Sequence, residues 1–104
     1  MEIKVTEQNF DELLKSPQPL MIDFGATWCG PCKALAPRIE ELASEYQGRA
    51  IIGAADVDEC PELSARFRIR NVPTVLFFKG GEAVDKSVGL VAKETLAEKL
   101  NALL

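Results

Sequence analysis

The sequence contains no histidine. That absence removes Cys-His and Ser-His nucleophile pairs, histidine-ligated zinc and haem, and every imidazole general base, so proton transfer must fall to carboxylates, lysines or thiols. Positive charge is scarce too: twelve lysines and arginines stand against sixteen acids, a net charge of −4. A chain with that balance has no general attraction for phosphate backbones or anionic lipid, which argues against nucleic acid as a partner. Long apolar runs are missing. The longest, Ala50 to Ala55, is interrupted by Gly53 and falls well short of the ~18 residues of a membrane-crossing helix, so no membrane span is expected. The opening stretch, Met1 to Gln8, is alternating and acidic and lacks the basic and apolar segments of an export signal, which makes the cytoplasm the expected location.

What is present suits a folded chain. Apolar residues make up 47% and charged residues 27%, and the 7 glycines and 6 prolines are ordinary usage, without linker, repeat or low-complexity segment. A length of 104 residues supports one core and not two, so residues 1–104 are expected to form one domain, acting as a monomer. Ile3 to Thr6 alternates weakly, as an edge strand does. Asn9 with Glu12 three residues later marks a helix start, with Phe10, Leu13 and Leu14 on one face, and Pro17 and Pro19 close it. Leu20 to Phe24 is a short, nearly all-apolar run suited to a strand buried on both faces, with one anomaly, Asp23. From Pro31 to Gln47 the apolar positions Cys32, Leu35, Ala36, Ile39, Leu42, Ala43 and Tyr46 step by three and four, which predicts a helix containing Pro37 and stopped by Gly48. Arg49 to Val57 is a second strand-length run, and Pro61 opens a short helix carrying Leu63 and Phe67 inward. Thr74 to Phe78, Gly80-Gly81 and Ala83 to Val88 predict a hairpin, and Lys93 to Leu104 a final helix with Leu96, Leu100, Leu103 and Leu104 on one face. The order β-α-β-α-β-α-β-β-α implies an α/β fold, a mixed sheet covered by helices on both faces.

Cys29, Cys32 and Cys60 are the only cysteines, and the first two belong to Trp28-Cys29-Gly30-Pro31-Cys32-Lys33 at the junction of a buried strand and the long helix. Positions three apart share a helix face, so the two sulfurs can come within disulfide reach in the first turn. Cys29 falls at the helix N-terminus, where unpaired N–H groups and the positive dipole end favour a thiolate, so Cys29 is the expected nucleophile. Cys32, one turn in and more shielded, is expected to attack second and resolve a mixed disulfide. Pro31 fits the first turn without losing a hydrogen bond, and Gly30 leaves the approach to Cys29 unobstructed. A zinc site needs two further soft ligands, and Cys60 alone remains, so no metal is expected. Cys-x-x-Cys beside a βαβ pattern reads instead as a redox pair. Asp23, placed among Met21, Ile22 and Phe24, is a carboxylate that burial would hold protonated to higher pH, or else a strand-end group in contact with solvent.

Asp23-Phe24-x-Ala26-x-Trp28-Cys29-Gly30-Pro31-Cys32-Lys33, Ala36-Pro37, Val72-Pro73-Thr74, Phe77-Phe78-Lys79-x-Gly81 and Val88-Gly89 together resemble the thioredoxin family over nearly the whole chain. The Trp-Cys-Gly-Pro-Cys string resembles the reducing members, since oxidising and isomerising relatives usually carry a histidine between the cysteines. The resemblance implies the thioredoxin fold and reduction of protein disulfides by Cys29 and Cys32 with no bound cofactor. It also implies a flavin-dependent, NADPH-fed thioredoxin reductase as the partner that restores the dithiol. It further implies that Pro73 is cis and faces the cysteines, that Val72 offers backbone hydrogen bonds to a substrate strand, and that Asp23 exchanges a proton with Cys32. Trp28 is expected to form an apolar docking surface with Pro73, Gly89 and Leu90.

The chain departs from the family at three places. Gly25 stands where many relatives carry an aromatic residue, Ala54 where bacterial relatives often carry a lysine near the aspartate, and Ala92 caps the last helix without a side-chain oxygen. Without a charged neighbour at Ala54, Asp23 is expected to hold its proton more tightly. Two other readings remain open on the sequence: a binding module whose dithiol is incidental, and an oxidase or isomerase of an exporting compartment, which Gly30-Pro31 disfavours.

Overall fold

The computed structural model describes residues 2–104. Nine elements follow in the expected order: β1 (Ile3–Lys4), α1 (Phe10–Leu14), β2 (Leu20–Gly25), α2 (Gly30–Glu45), β3 (Ile51–Asp56), α3 (Pro61–Arg66), β4 (Thr74–Lys79), β5 (Glu82–Val88) and α4 (Lys93–Asn101). The strands form one sheet in the order β1-β3-β2-β4-β5. β1 and β2 both run parallel to β3, while β4 pairs antiparallel with β2 and with β5, so the sheet is mixed.

β2 sits at the centre, and Leu20, Met21, Ile22, Asp23 and Phe24 are all buried. Strand alternation sends successive residues to opposite faces, which explains two separate cores. On one face Met21, Ile52, Val75 and Phe77 pack against Leu35, Ile39, Leu42 and Ala43 of α2 and Leu96 and Leu100 of α4. On the other, Leu20, Ile22, Phe24, Leu76 and Phe78 pack with Phe10 of α1 and Leu63 of α3. There Phe10, Phe67 and Phe78 meet edge to face with ring centroids 5.4 to 5.6 Å apart, a favoured aromatic geometry. The period-3.6 pattern of α2 therefore serves the first face, and Asp23, two residues beyond Met21, points toward that same helix.

Local signals account for most boundaries. Gly80 and Gly81 both have positive φ, 62° and 82°, the backbone that a two-residue hairpin turn demands. Asn9 caps α1 differently from the expected pattern. Its Oδ1 accepts the Thr6 N–H at 2.8 Å while its own N–H donates to Thr6 Oγ1 at 3.1 Å, so the turn before the helix is stapled rather than the helix end itself. Ala92 caps α4 with no side-chain hydrogen bond, as its methyl group requires. The last helix is shorter than its leucines suggested. α4 ends at Asn101, where the Ala102 N–H folds back onto the Glu98 carbonyl, and Leu104 is left 54% exposed.

Candidate active site

β2 ends at Gly25 and α2 begins at Gly30, so the intervening turn carries Trp28 and Cys29 to one end of the sheet. Cys29 is the N-cap of α2: its backbone is extended, and its sulfur accepts the Cys32 backbone N–H at 3.2 Å. That donor is one of the orphan amides of the first turn, and pointing it at sulfur favours a thiolate there. Pro31 occupies the first turn, where its missing N–H costs nothing. The Cα atoms of Cys29 and Cys32 are 5.3 Å apart and their sulfurs are joined in a disulfide.

Exposure does not separate the two thiols. Cys29 is 6% and Cys32 7% exposed, contrary to the expectation that Cys32 is the more shielded. What distinguishes them is what each faces. Cys29 Sγ lies 3.7 Å from the Val72 carbonyl oxygen, and the Val72-Pro73 peptide bond is cis, as the resemblance implied. Cys32 turns the other way, onto a cleft of about 560 Å³ that it shares with Asp23, Gly25 and Ala54. An ideal Cβ on Gly25 would come within 3.4 Å of Cys32 Sγ, so the missing side chain leaves that sulfur uncovered on this side.

Asp23 is 7% exposed, and its Oδ1 is buried with no hydrogen-bond partner. Burial, and secondarily the Glu2 carboxylate, raise its pKa from 3.8 to about 7. The carboxyl group thus titrates near neutrality, on the face of the sheet that carries Cys32. In the strand register Asp23 pairs with Ala54, and Ala54 pairs with Lys4, so the neighbour of the carboxylate is a methyl group and the lysine stands one strand farther off. Lys4 is itself engaged by Glu59 at 3.2 Å.

The other expected residues fall around the cysteine end unevenly. Trp28 is 68% exposed, and its Nε1–H donates to Asp58 Oδ2 at 2.9 Å, which pins the indole beside the cysteines. Gly30 and Pro31 are exposed on the helix start, and Val72 is half-buried. Pro73 is buried, so it meets the site through its backbone: its carbonyl accepts the Gly89 N–H at 2.8 Å. Leu90, next to Gly89, is exposed and also lines a depression with Arg38 and Lys93. Asp58 and Glu2 are contributors that sequence reasoning missed. Strand alternation, which puts Glu2 and Lys4 on one face, would have suggested Glu2 only once the β1–β3–β2 register was known. Nothing local marks Asp58.

Cys60 stands apart. It is 1% exposed, its thiol donates to the Val5 carbonyl at 3.7 Å, and burial with the nearby charges of Glu7, Glu59 and Asp56 raises its pKa. That is the environment of an inert thiol.

The comparisons with known proteins agree with this geometry. The family model described as Thioredoxin matches residues 1–102. The thioredoxin of Staphylococcus haemolyticus is 54% identical over 99 residues, covering 95% of this chain and 94% of the relative. That of Staphylococcus saprophyticus is 53% identical over 96 residues, covering 92% and 91%. That of Staphylococcus aureus is 50% identical over 99 residues, covering 95% and 94%. A buried Cys-x-x-Cys at a helix start, facing a cis-proline turn and matched along the whole chain at such identity, leaves one assignment: the chain belongs to the thioredoxin family.

Proposed function

We propose that Cys29 is the attacking thiolate, Cys32 the resolving thiol and Asp23 the proton carrier in the disulfide reduction that this protein-disulfide oxidoreductase performs. The observation that carries the reading is the pair of opposite faces on the two sulfurs. Cys29 Sγ receives an N–H from α2 and looks toward Val72, where a substrate strand can dock, whereas Cys32 looks onto the Asp23 cleft.

In the first step Cys29 thiolate attacks one sulfur of a substrate disulfide, forming the Cys29–substrate bond and releasing the second substrate sulfur as a thiolate, which takes a proton from solvent. In the second, Cys32 gives its proton to the Asp23 carboxylate and its sulfur attacks Cys29 Sγ. The Cys29–Cys32 bond forms, the bond to substrate breaks, and the substrate sulfur leaves with the electron pair. The protein ends oxidised by two electrons and the substrate reduced by two. As in the family generally, a thioredoxin reductase restores the dithiol, and no cofactor of the chain's own is needed.

Trp28, Gly30, Pro31, Val72, Pro73, Gly89 and Leu90 form the docking face in this reading. The exposed indole and Leu90 supply apolar contact, Val72 backbone groups, and Gly30 a side without obstruction. Residues 1–104 act as one monomeric domain in the cytoplasm. Among the described residues no helix is long and apolar enough to cross a membrane. Reduction of insulin driven by dithiothreitol tests the reading, because turnover there needs both an attacking and a resolving thiol. The variant carrying both Cys29→Ser and Cys32→Ser should lose this turnover, and absence of turnover in the parent itself would instead favour a binding module with an incidental dithiol.

A further inference from the structure

The cleft behind Cys32 holds more than Asp23. Glu2, from the segment before β1, lines it as well, and so do Lys4 of β1, Lys33 of α2, Asp56 at the end of β3 and Glu59 in the following turn. Gly25 and Ala54, both small, lie in its wall beside Asp23. Asp23 Oδ1 is buried and unpartnered there.

We propose that Glu2 is a positioning residue for the Asp23 proton: the two carboxylates form an acid pair along one cleft, in which Glu2 strengthens Asp23 as a base for Cys32 and exchanges its proton with solvent. The proposal rests on the reading of Cys32 as the resolving thiol and adds a residue to it. Of the cations facing the cleft, Lys4 is held by Glu59 at 3.2 Å, and Lys33 is exposed at the rim. The remaining acids, Asp56 and Glu59, lie on the β3 side. Glu2 is the group whose charge acts on Asp23, and Glu40 of α2 acts in turn on Glu2. Burial and Glu40 also raise the affinity of Glu2 for a proton. During resolution the proton leaves Cys32 for Asp23, passes to the Glu2 carboxylate and then to water. Each carboxylate is regenerated and no redox equivalent is consumed.

The test is stopped-flow reaction of the reduced protein with 5,5′-dithiobis-(2-nitrobenzoate). The first nitrothiobenzoate ion released reports attack by Cys29, and the second reports resolution by Cys32. Ionisation of Asp23 makes the second phase rise with pH. Removing the Glu2 charge with Glu2→Gln should move the midpoint of that rise down by about half a unit, the size expected for one partly screened charge. The variant would then resolve faster than the parent below the midpoint and no faster above it. Carbon-13 NMR titration of the Asp23 carboxyl should show the same displacement, and Glu2→Asp should restore most of it. Glu2 is half-buried at the edge of the sheet, so the substitution leaves the core intact. An unchanged midpoint in both measurements, with both kinetic phases present, would overturn the role of Glu2 and leave the disulfide chemistry standing. A parent protein with no second phase would overturn the assignment of Cys32 itself, and this proposal with it.

Discussion

Asp23 of β2 and Ala54 of β3 are register partners in the parallel pair at the centre of the sheet, so the carboxylate behind the active-site cysteines has a methyl group as its neighbour across the strands. Burial therefore acts on it without an adjacent countercharge, and its pKa rises from 3.8 to about 7, Glu2 adding to the effect.

Stability should depend on pH accordingly. The folded pKa lies above the unfolded one, so the native state binds the proton more tightly. The contribution is full below about pH 4 and is lost as pH rises to about 7. The shift corresponds to at most about 4 kcal/mol. Asp23→Asn keeps the shape without the charge, so its urea stability should lack this decline and exceed that of the parent at pH 8. Parallel stability curves for the two proteins from pH 4 to pH 8 would contradict the burial of a titrating carboxyl.

Introducing a cation at the neighbouring position should have a related effect. Ala54→Lys places an ammonium in the row between Lys4 and Asp23, and an opposite charge at short range favours the ionised acid. The Asp23 carboxyl should titrate below its present value of about 7. The stability decline should become shallower and finish at lower pH. NMR titration of the side-chain carboxyl reads this directly; an unmoved midpoint would mean that the new ammonium points away from the cleft.

The third cysteine should be dispensable for turnover. Cys60 is buried with its thiol on the Val5 carbonyl, and it has no disulfide partner. Cys60→Ala should reduce insulin at the parental rate under reducing conditions. In the native parent, Cys60 should react with iodoacetamide far more slowly than Cys29. A large loss of turnover in Cys60→Ala would assign this thiol a part in the cycle.

Sequence patterns reach some of this structure and stop short of the rest for definite reasons. The apolar steps from Cys32 to Tyr46 identify α2 because one helix face is buried, and Gly80-Gly81 identifies the hairpin because few residues tolerate positive φ twice in succession. The nearly all-apolar run from Leu20 to Phe24 marks β2 as buried on both sides, and this makes Asp23 conspicuous. Cys-x-x-Cys at a strand-helix junction exposes the chemistry for the same reason: its geometry is local. Contacts set by strand register are different. That Ala54 borders Asp23, with Lys4 one strand beyond it, depends on β1 and β2 both pairing with β3, and the Trp28–Asp58 hydrogen bond joins residues thirty apart. Leu104 misleads because apolar spacing continues past the point where the α4 backbone closes on itself. The near-equal burial of Cys29 and Cys32 is likewise invisible to spacing, since it arises in the cluster that the pair forms with Ala26, Val57 and Val72.

The division of labour between the two sulfurs is tested most directly by trapping. The variants Cys29→Ser and Cys32→Ser are each incubated with a disulfide-containing protein and analysed by non-reducing mass spectrometry. Cys29, with an α2 amide on its sulfur and the Val72 carbonyl opposite, should attack in the absence of its partner, so Cys32→Ser should accumulate a mixed disulfide with the protein substrate. Cys29→Ser should accumulate little, because Cys32 faces the Asp23 cleft and not the docking side. Abundant adducts on Cys29→Ser and none on Cys32→Ser would contradict the assignment and exchange the roles of the two cysteines.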